Sequence, residues 1–152
     1  MYAVALLVFP WVRAMAGLAD VGSLLELRAG FGAGIHTALA RIEGRPVGLL
    51  ANNPLHLGGA IDANAADKAA RFMQLCNAHG LPLVRLVDTP GFMVGPEVER
   101  QAQVRHVSRL FIAAAHLRVP FFSVVLRKGY GLGAMAMSAG GFHSPLFTVA
   151  WP

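Results

Sequence analysis

The amino-acid sequence predicts a single α/β domain built around a mostly parallel sheet. Its 152 residues are 55% hydrophobic and 14% charged, which gives enough apolar material to bury a core and excludes a disordered chain. The 17 glycines add a small-residue bias that is typical of α/β proteins with closely packed helices. From Val47 onwards, strand and helix patterns alternate, which favours stacked βα units.

The first half of the chain predicts a strand, a glycine loop and a hairpin. Residues 1–22 differ in character from the rest of the chain and are compatible with a non-native start, an interaction segment or a buried helix. The domain is expected to begin at Ser23, where a short strand leads into the loop from Gly30 to Gly34. Strands over Ile35 to Ile42 and Val47 to Ala51 come next, separated by a Gly-Pro turn.

The rest of the chain alternates helices with buried strands. An amphipathic helix is predicted over Asn64 to His79, with an apolar stripe of Ala69, Phe72, Met73 and Cys76. A longer helix is predicted over Glu97 to His116, with an apolar face of Val104, Val107, Phe111 and Ala114. The other elements are strands over Leu83 to Val87, Phe121 to Leu126 and Phe147 to Trp151, and a helix over Leu132 to Ala139.

The charge pattern argues against nucleic acid as a partner. The formal charge is +5, but Lys and Arg are spread along the chain and form no run interleaved with aromatic residues. All 8 acids lie at or before Glu99, so the later part carries unbalanced bases and favours an anionic ligand or an acidic partner.

Neither a secretory signal nor a membrane span is expected. The apolar run from Met1 to Val12 is preceded by no base, and it is shorter than the about 20 residues that a spanning helix needs. The single cysteine, Cys76, excludes an internal disulfide, and the cytoplasm is the expected location.

Two glycine-containing loops are the candidate functional segments. Asp88 to Gly95 and Arg127 to Ala134 each follow a predicted strand and precede a predicted helix, so both lie where ligands bind in α/β sheets. Glycines let backbone N–H groups face a ligand, and a helix N-terminus adds partial positive charge. The alternative is tight turning with no ligand, which two such loops at equivalent strand ends make less favourable.

Searches for side-chain catalysis find no candidate set. There is no Gly-x-Ser-x-Gly elbow, no carboxylate pair at helical spacing, and no His or Cys pair at metal-ligand spacing, so no metal is expected. Cys76 lies on an apolar stripe, which favours core packing over a thiol and base pair with His79. His106, Arg105 and Arg109 are interpreted as a solvated basic side of the long helix.

Several segments, in one order, resemble the acyl-CoA carboxyltransferase family. They are LELRAGFG (25–32), ARIEGRPVG (40–48), DKAARF (67–72), VDTPGF (87–92), VRH (104–106), LRKGYGLGA (126–134) and AWP (150–152). The family includes the carboxyltransferase subunits of biotin-dependent acetyl-, propionyl- and methylcrotonyl-CoA carboxylases. The resemblance covers residues 23–152 and implies a crotonase-like fold of stacked ββα units, here as a single C-terminal domain that is incomplete at its C-terminus.

The resemblance also implies a mechanism. In such enzymes carboxybiotin releases CO2, the biotin ureido nitrogen takes a proton from the acyl-CoA α-carbon, and the enolate attacks CO2, while backbone N–H groups stabilise the oxyanions. The family motifs then assign catalytic N–H groups to Gly133 and Ala134. They assign the walls of the biotin site to Pro90, Gly91, Phe92, Tyr130 and Gly131.

The implied partners are an acyl-CoA substrate, a biotin carboxyl carrier, a biotin carboxylase, and the N-terminal half of a carboxyltransferase in a homo-oligomer. No counterpart of that half is present, so the chain is expected to hold half a site. The apolar residues expected to be exposed are Phe31, Phe92, Met93, Phe142, Leu146 and Trp151.

Two alternatives remain open. One is a truncated, non-catalytic binding or assembly module. The other is a stand-alone crotonase-like thioester enzyme, for which Asp88, followed by Thr89, is the clearest acid candidate.

Overall fold

A computed structural model describes residues 10–150, with side chains from Val12 onwards. The helices are α1 (Pro10–Leu18), α2 (Ala63–Ala78), α3 (Pro96–Arg100), α4 (Gln103–Ala115) and α5 (Gly131–Met137), with a short 3-10 turn at Leu57–Gly59. The strands are β1 (Leu25–Leu27), β2 (Ile35–Ile42), β3 (Arg45–Asn52), β4 (Leu83–Thr89), β5 (Phe121–Gly129) and β6 (Phe147–Ala150). The alternation predicted from Val47 onwards is confirmed.

The six strands form one sheet in chain order. The pairs β1–β2 and β2–β3 are antiparallel, and β3 to β6 are parallel, so the carboxyl ends of β3 to β6 point the same way. The β2–β3 hairpin turns on Glu43 and Gly44, both at positive φ, as a two-residue hairpin of the I′ type requires. The Asp20 carboxylate accepts both of their N–H groups, at 2.9 and 2.8 Å, which holds the turn against the end of α1.

Helix α2 packs as its sequence predicts. Asp62 caps its first turn by accepting from the Ala65 N–H at 2.8 Å, and Gly80 follows its end at a φ of 66°. The alanines on the inner face allow a close approach to the sheet. The predicted stripe is confirmed, since all four of its residues are buried: Ala69, Phe72, Met73 and Cys76.

The core lies on both faces of the sheet. Helices α2, α4 and α5 cover one face, where Leu50 and Val87 point, and α1 places Met15 on the other face against Leu49 and Leu86. The neighbours Leu49 and Leu50 therefore serve opposite layers, as alternation along a strand requires. Within residues 10–22, the structure shows the buried-helix alternative, because Met15 is 2% exposed. Residues 1–9 lie outside the described residues, and a domain boundary at residue 23 stays a prediction.

The single long helix predicted from Glu97 to His116 is wrong. The chain forms α3 and α4 instead, and Ala102 between them is left-handed, at φ 57° and ψ 42°. The break brings Gln103 inward, where its buried side-chain amide donates to the Ile61 carbonyl at 2.8 Å. Val104 is consequently 75% exposed, whereas the predicted positions Val107 and Ala114 are buried together with Leu110 and Ala113.

Apolar side chains are exposed around the last strand. Leu146 is 69% exposed and Phe142 38%, as predicted, and Phe147 and Val149 on β6 are also exposed. Phe31, Phe92 and Met93 are half-buried, so the expectation of exposure is only partly met, and Trp151 lies outside the described residues. Among residues 10–150, no helix is long and apolar enough to cross a membrane.

Gly48 on β3 generates the first testable prediction. A Cβ on Gly48 would lie 2.5 Å from the Cys76 sulfur and 3.0 Å from Leu83 Cδ2, so Gly48→Ala forces the interface between α2 and the sheet apart. Overpacking of this kind costs about 1–3 kcal/mol of the free energy of unfolding. The control is Gly30→Ala, which adds a Cβ into open space. Urea denaturation with equal midpoints for both variants would contradict this packing.

Cys76 generates the second prediction. Burial raises the pKa of its thiol to about 12, so roughly one thiol in ten thousand is ionised at pH 8. Iodoacetamide is therefore expected to alkylate the folded chain far more slowly than the chain unfolded in guanidinium, as followed by mass spectrometry. The matched control is Leu75→Cys in a Cys76→Ala background, because Leu75 is a half-exposed neighbour on the same helix. That variant should react in the folded state, and fast reaction of native Cys76 would disprove its core position.

Candidate functional site

The two glycine loops lie side by side at the carboxyl ends of β4 and β5. Thr89 and Gly129 pair across these strands, and the Tyr130 N–H donates to the Thr89 carbonyl at 3.2 Å. Gly133 packs directly on Gly91, since a Cβ on Gly133 would lie 2.7 Å from both the Gly91 Cα and its carbonyl carbon. The predicted placement of both loops on one side of the sheet is confirmed.

Asp88 holds the two strand ends together. Its carboxylate is buried and accepts from the Arg127 guanidinium at 3.1 Å and from the Lys128 backbone N–H at 3.2 Å. The Asp88 N–H in turn donates to the Asn52 side chain on β3 at 3.0 Å. This carboxylate, a candidate catalytic acid on sequence grounds, is therefore bound within the fold.

The loop from Pro90 to Phe92 is fixed by backbone hydrogen bonds. The Gly91 carbonyl accepts from the Ile61 N–H at 3.0 Å, and the Met93 N–H donates to the Ile61 carbonyl at 3.0 Å. Phe92 meets Phe111 of α4 edge to face, with ring centroids 6.2 Å apart. Pro90 remains exposed. The loop thus presents a fixed wall beside the start of α5.

The first turn of α5 supplies backbone donors. No side chain caps this helix, and within residues 10–150 the N–H groups of Gly131, Leu132 and Gly133 have no hydrogen-bond acceptor. The prediction that both Gly133 and Ala134 carry unpaired N–H groups is wrong for Ala134, whose N–H donates to the Tyr130 carbonyl. Once a helix is under way, its fourth residue bonds back along the chain. At 3.3 Å this bond is longer than the usual 2.9–3.0 Å.

The side chains at the rim are basic and polar. Arg127 is 60% exposed at its side chain, Lys128 donates to the Gly58 carbonyl, and Tyr130 is 61% exposed. Neither the Asn52 contact nor the role of Gly58 has a signal in the sequence, because both partners are distant along the chain. With N–H donors and positive charge around them, the two loops are able to hold a carbonyl oxygen or an oxyanion.

The basic side of the long helix is not simply solvated. Asp67 on α2 pairs with His106 Nδ1 at 2.8 Å and with Arg109 at 2.7 Å, which corrects the interpretation of both residues. Burial acts to raise the pKa of Asp67, but the hydrogen bonds from Arg109 and His106 outweigh it and the pKa is lowered. These contacts fasten α4 to α2. Within the described chain, no group of three or more His, Cys, Asp or Glu side chains is placed to hold a metal.

Known proteins share this sequence and fold. The chain is 43% identical over 123 residues to the methylmalonyl-CoA carboxyltransferase 12S subunit of Propionibacterium freudenreichii, covering 81% of this chain and 24% of that protein. It is 41% identical over 133 residues to the biotin-dependent long chain acyl-coenzyme A carboxylase beta4 subunit of Mycobacterium tuberculosis, covering 88% and 25%. The chain thus spans about a quarter of the length of these curated relatives.

A solved single-chain, multi-domain long-chain acyl-CoA carboxylase superposes with a TM-score of 0.91 at 60% identity, over 93% of this chain and 14% of that one. The predicted α/β, crotonase-like fold is confirmed as that of a single partial domain. The carboxyl transferase domain model matches residues 10–152, and the chain belongs to the carboxyl transferase domain family.

Proposed function

We propose that this chain is the biotin-facing domain of a biotin-dependent acyl-CoA carboxylase, which transfers CO2 from carboxybiotin to the α-carbon of an acyl-CoA. The contact of Gly133 with Gly91 is the observation that carries this proposal. It joins a helix start with unpaired N–H groups to a fixed loop, in a chain whose relatives include biotin-dependent carboxylase subunits.

The donor set suits the ureido group of biotin. A ureido oxygen is a hydrogen-bond acceptor, and the first turn of α5 offers only donors. Gly91 and Gly131 leave open space where a Cβ would stand, so a flat ring can approach the backbone there. Pro90, Gly91 and Phe92 then form one wall of the proposed site, and Tyr130 and Gly131 form the other.

Biotin, when bound, would supply the CO2 and the nitrogen base that removes the proton from the acyl-CoA α-carbon. The chain's own task is to hold the ureido oxygen as its charge develops. The Gly133 N–H is the principal donor, and Ala134 joins it by exchanging its long bond to the Tyr130 carbonyl. Preorganised backbone donors are worth about a hundredfold to a thousandfold in rate per donor, so no catalytic side chain is required.

The other half of the proposed site belongs to parts that the described residues do not contain. We place an acyl-CoA-binding N-terminal half of a carboxyltransferase opposite the two loops, within a homo-oligomer. A biotin carboxyl carrier and a biotin carboxylase deliver the carboxyl group, and the setting is the cytoplasm. The exposed apolar side chains around β6, including Leu146 and Phe147, are consistent with such a neighbour.

Of the two alternatives, one has direct support. A non-catalytic assembly module is favoured by the same exposed apolar residues around β6, which a binding role alone would explain. The stand-alone thioester enzyme is disfavoured, because its candidate acid Asp88 is buried and bound by Arg127 and Lys128.

The function is tested by complementation. The purified chain is mixed with a separately produced N-terminal half of the M. tuberculosis relative and a carboxylated carrier, and the carboxylated acyl-CoA is measured by mass spectrometry. We expect product only when both halves are present, and light scattering should show association. Product from the chain alone would overturn the half-site, whereas a stable complex without product would leave the assembly module.

Gly133→Ala tests the contact between the loops. The added Cβ collides with the Gly91 backbone, so either the loop or α5 must shift. A displacement of about 1 Å in a catalytic group costs about a hundredfold in rate, and we expect that loss in the complemented assay. Gly141→Ala is the control, since its Cβ enters open space. Equal activity of the two variants would show that the contact has no role in catalysis.

A further inference from the structure

Lys68 is a buried cation that the proposed function does not use. It lies on α2 and is 1% exposed, yet its ammonium makes no hydrogen bond or ion pair with any residue from 10 to 150. The chain has one other lysine, Lys128, whose ammonium donates to the Gly58 carbonyl. Burying an ammonium group without an acceptor is unfavourable, so Lys68 calls for an anionic partner.

The protein itself supplies only part of that partner. Burial lowers the pKa of Lys68, Glu26 acts in the opposite direction, and Arg28 lowers it further. The Glu26 carboxylate is already paired with His36 Nδ1 at 3.0 Å. One shared acid therefore faces the two cations Lys68 and Arg28, and the region retains positive charge.

Lys68 lines a cavity of about 750 Å³ between α2 and the first two strands. Its cationic lining is Arg28, Lys68 and Arg71, and no acidic side chain lines it. Leu27, Phe72 and Leu75 form its apolar walls. The volume lies within the range of about 300–1,000 Å³ that small-molecule sites occupy. None of its lining residues belongs to the two glycine loops.

We propose that this cavity binds an amphipathic carboxylate, a hydrocarbon chain with an acid group at one end, whose carboxylate pairs with Lys68. The planar guanidinium groups of Arg28 and Arg71 add fork-like donors that fit a carboxylate. The hydrocarbon chain covers the apolar walls formed by Leu27 and Phe72. Both halves of such a ligand are needed, because the cavity combines a cationic end with apolar sides.

The probe is decanoate, compared with decanol, which keeps the chain, and acetate, which keeps the acid. Titration calorimetry on the chain is expected to give one decanoate site, with decanol and acetate each at least tenfold weaker. Because the chain has two lysines, ¹³Cε-lysine labelling gives two side-chain signals in NMR spectra. Decanoate should shift the Lys68 signal and leave the Lys128 signal in place.

Lys68→Met removes the charge and keeps an unbranched side chain. Decanoate affinity should fall at least tenfold while decanol affinity stays the same. Arg100→Met, an exposed change in α3, is the control and should bind decanoate like the original chain. Absence of decanoate binding, equal binding of decanoate and decanol, or a shift only at Lys128 would each overturn the proposal. The two ligand comparisons use the unsubstituted chain, so the test does not depend on the folding of Lys68→Met.

Discussion

The buried Asp88 carboxylate is the interaction on which the arrangement of the two loops depends. It stands at the end of β4 and binds the guanidinium of Arg127 and the backbone of Lys128 at the end of β5. A carboxylate removed from water needs such partners, because an unpaired buried charge is strongly destabilising. Satisfying Asp88 therefore aligns the two strand ends, and the residues beyond them, Gly91 and Gly133, come into contact.

This contact explains why a functional site here needs so few distinctive side chains. A helix start placed against a rigid loop provides directed N–H donors whose positions are set by the backbone. Glycine is required at position 133 because its Cα packs against the Gly91 backbone. The chemistry that such a site supports is stabilisation of charge on an oxygen atom, which leaves acid and base functions to a bound group.

Helix α2 connects the core to both charged clusters on its flanks. Its inner face packs Phe72 and Cys76 against the sheet, while the adjacent Asp67 binds His106 and Arg109 of α4. The next residue, Lys68, faces the cavity beside β1 and β2. One helix thus combines packing, a fixed link to α4 and an unsatisfied cation, and these roles follow from successive positions on the helix.

The sequence by itself determined the order of strands and helices, the apolar face of α2 and the position of both loops after strands, because these depend on local periodicity and on Gly and Pro turns. Its motifs also identified the family. Only the tertiary structure decided that the long helix breaks at Ala102, that the Ala134 N–H bonds to Tyr130, and that Asp88 and Lys68 are buried. The physical reason is that each of these outcomes depends on hydrogen-bond partners or neighbours brought together by folding, and spacing along the chain does not encode their positions.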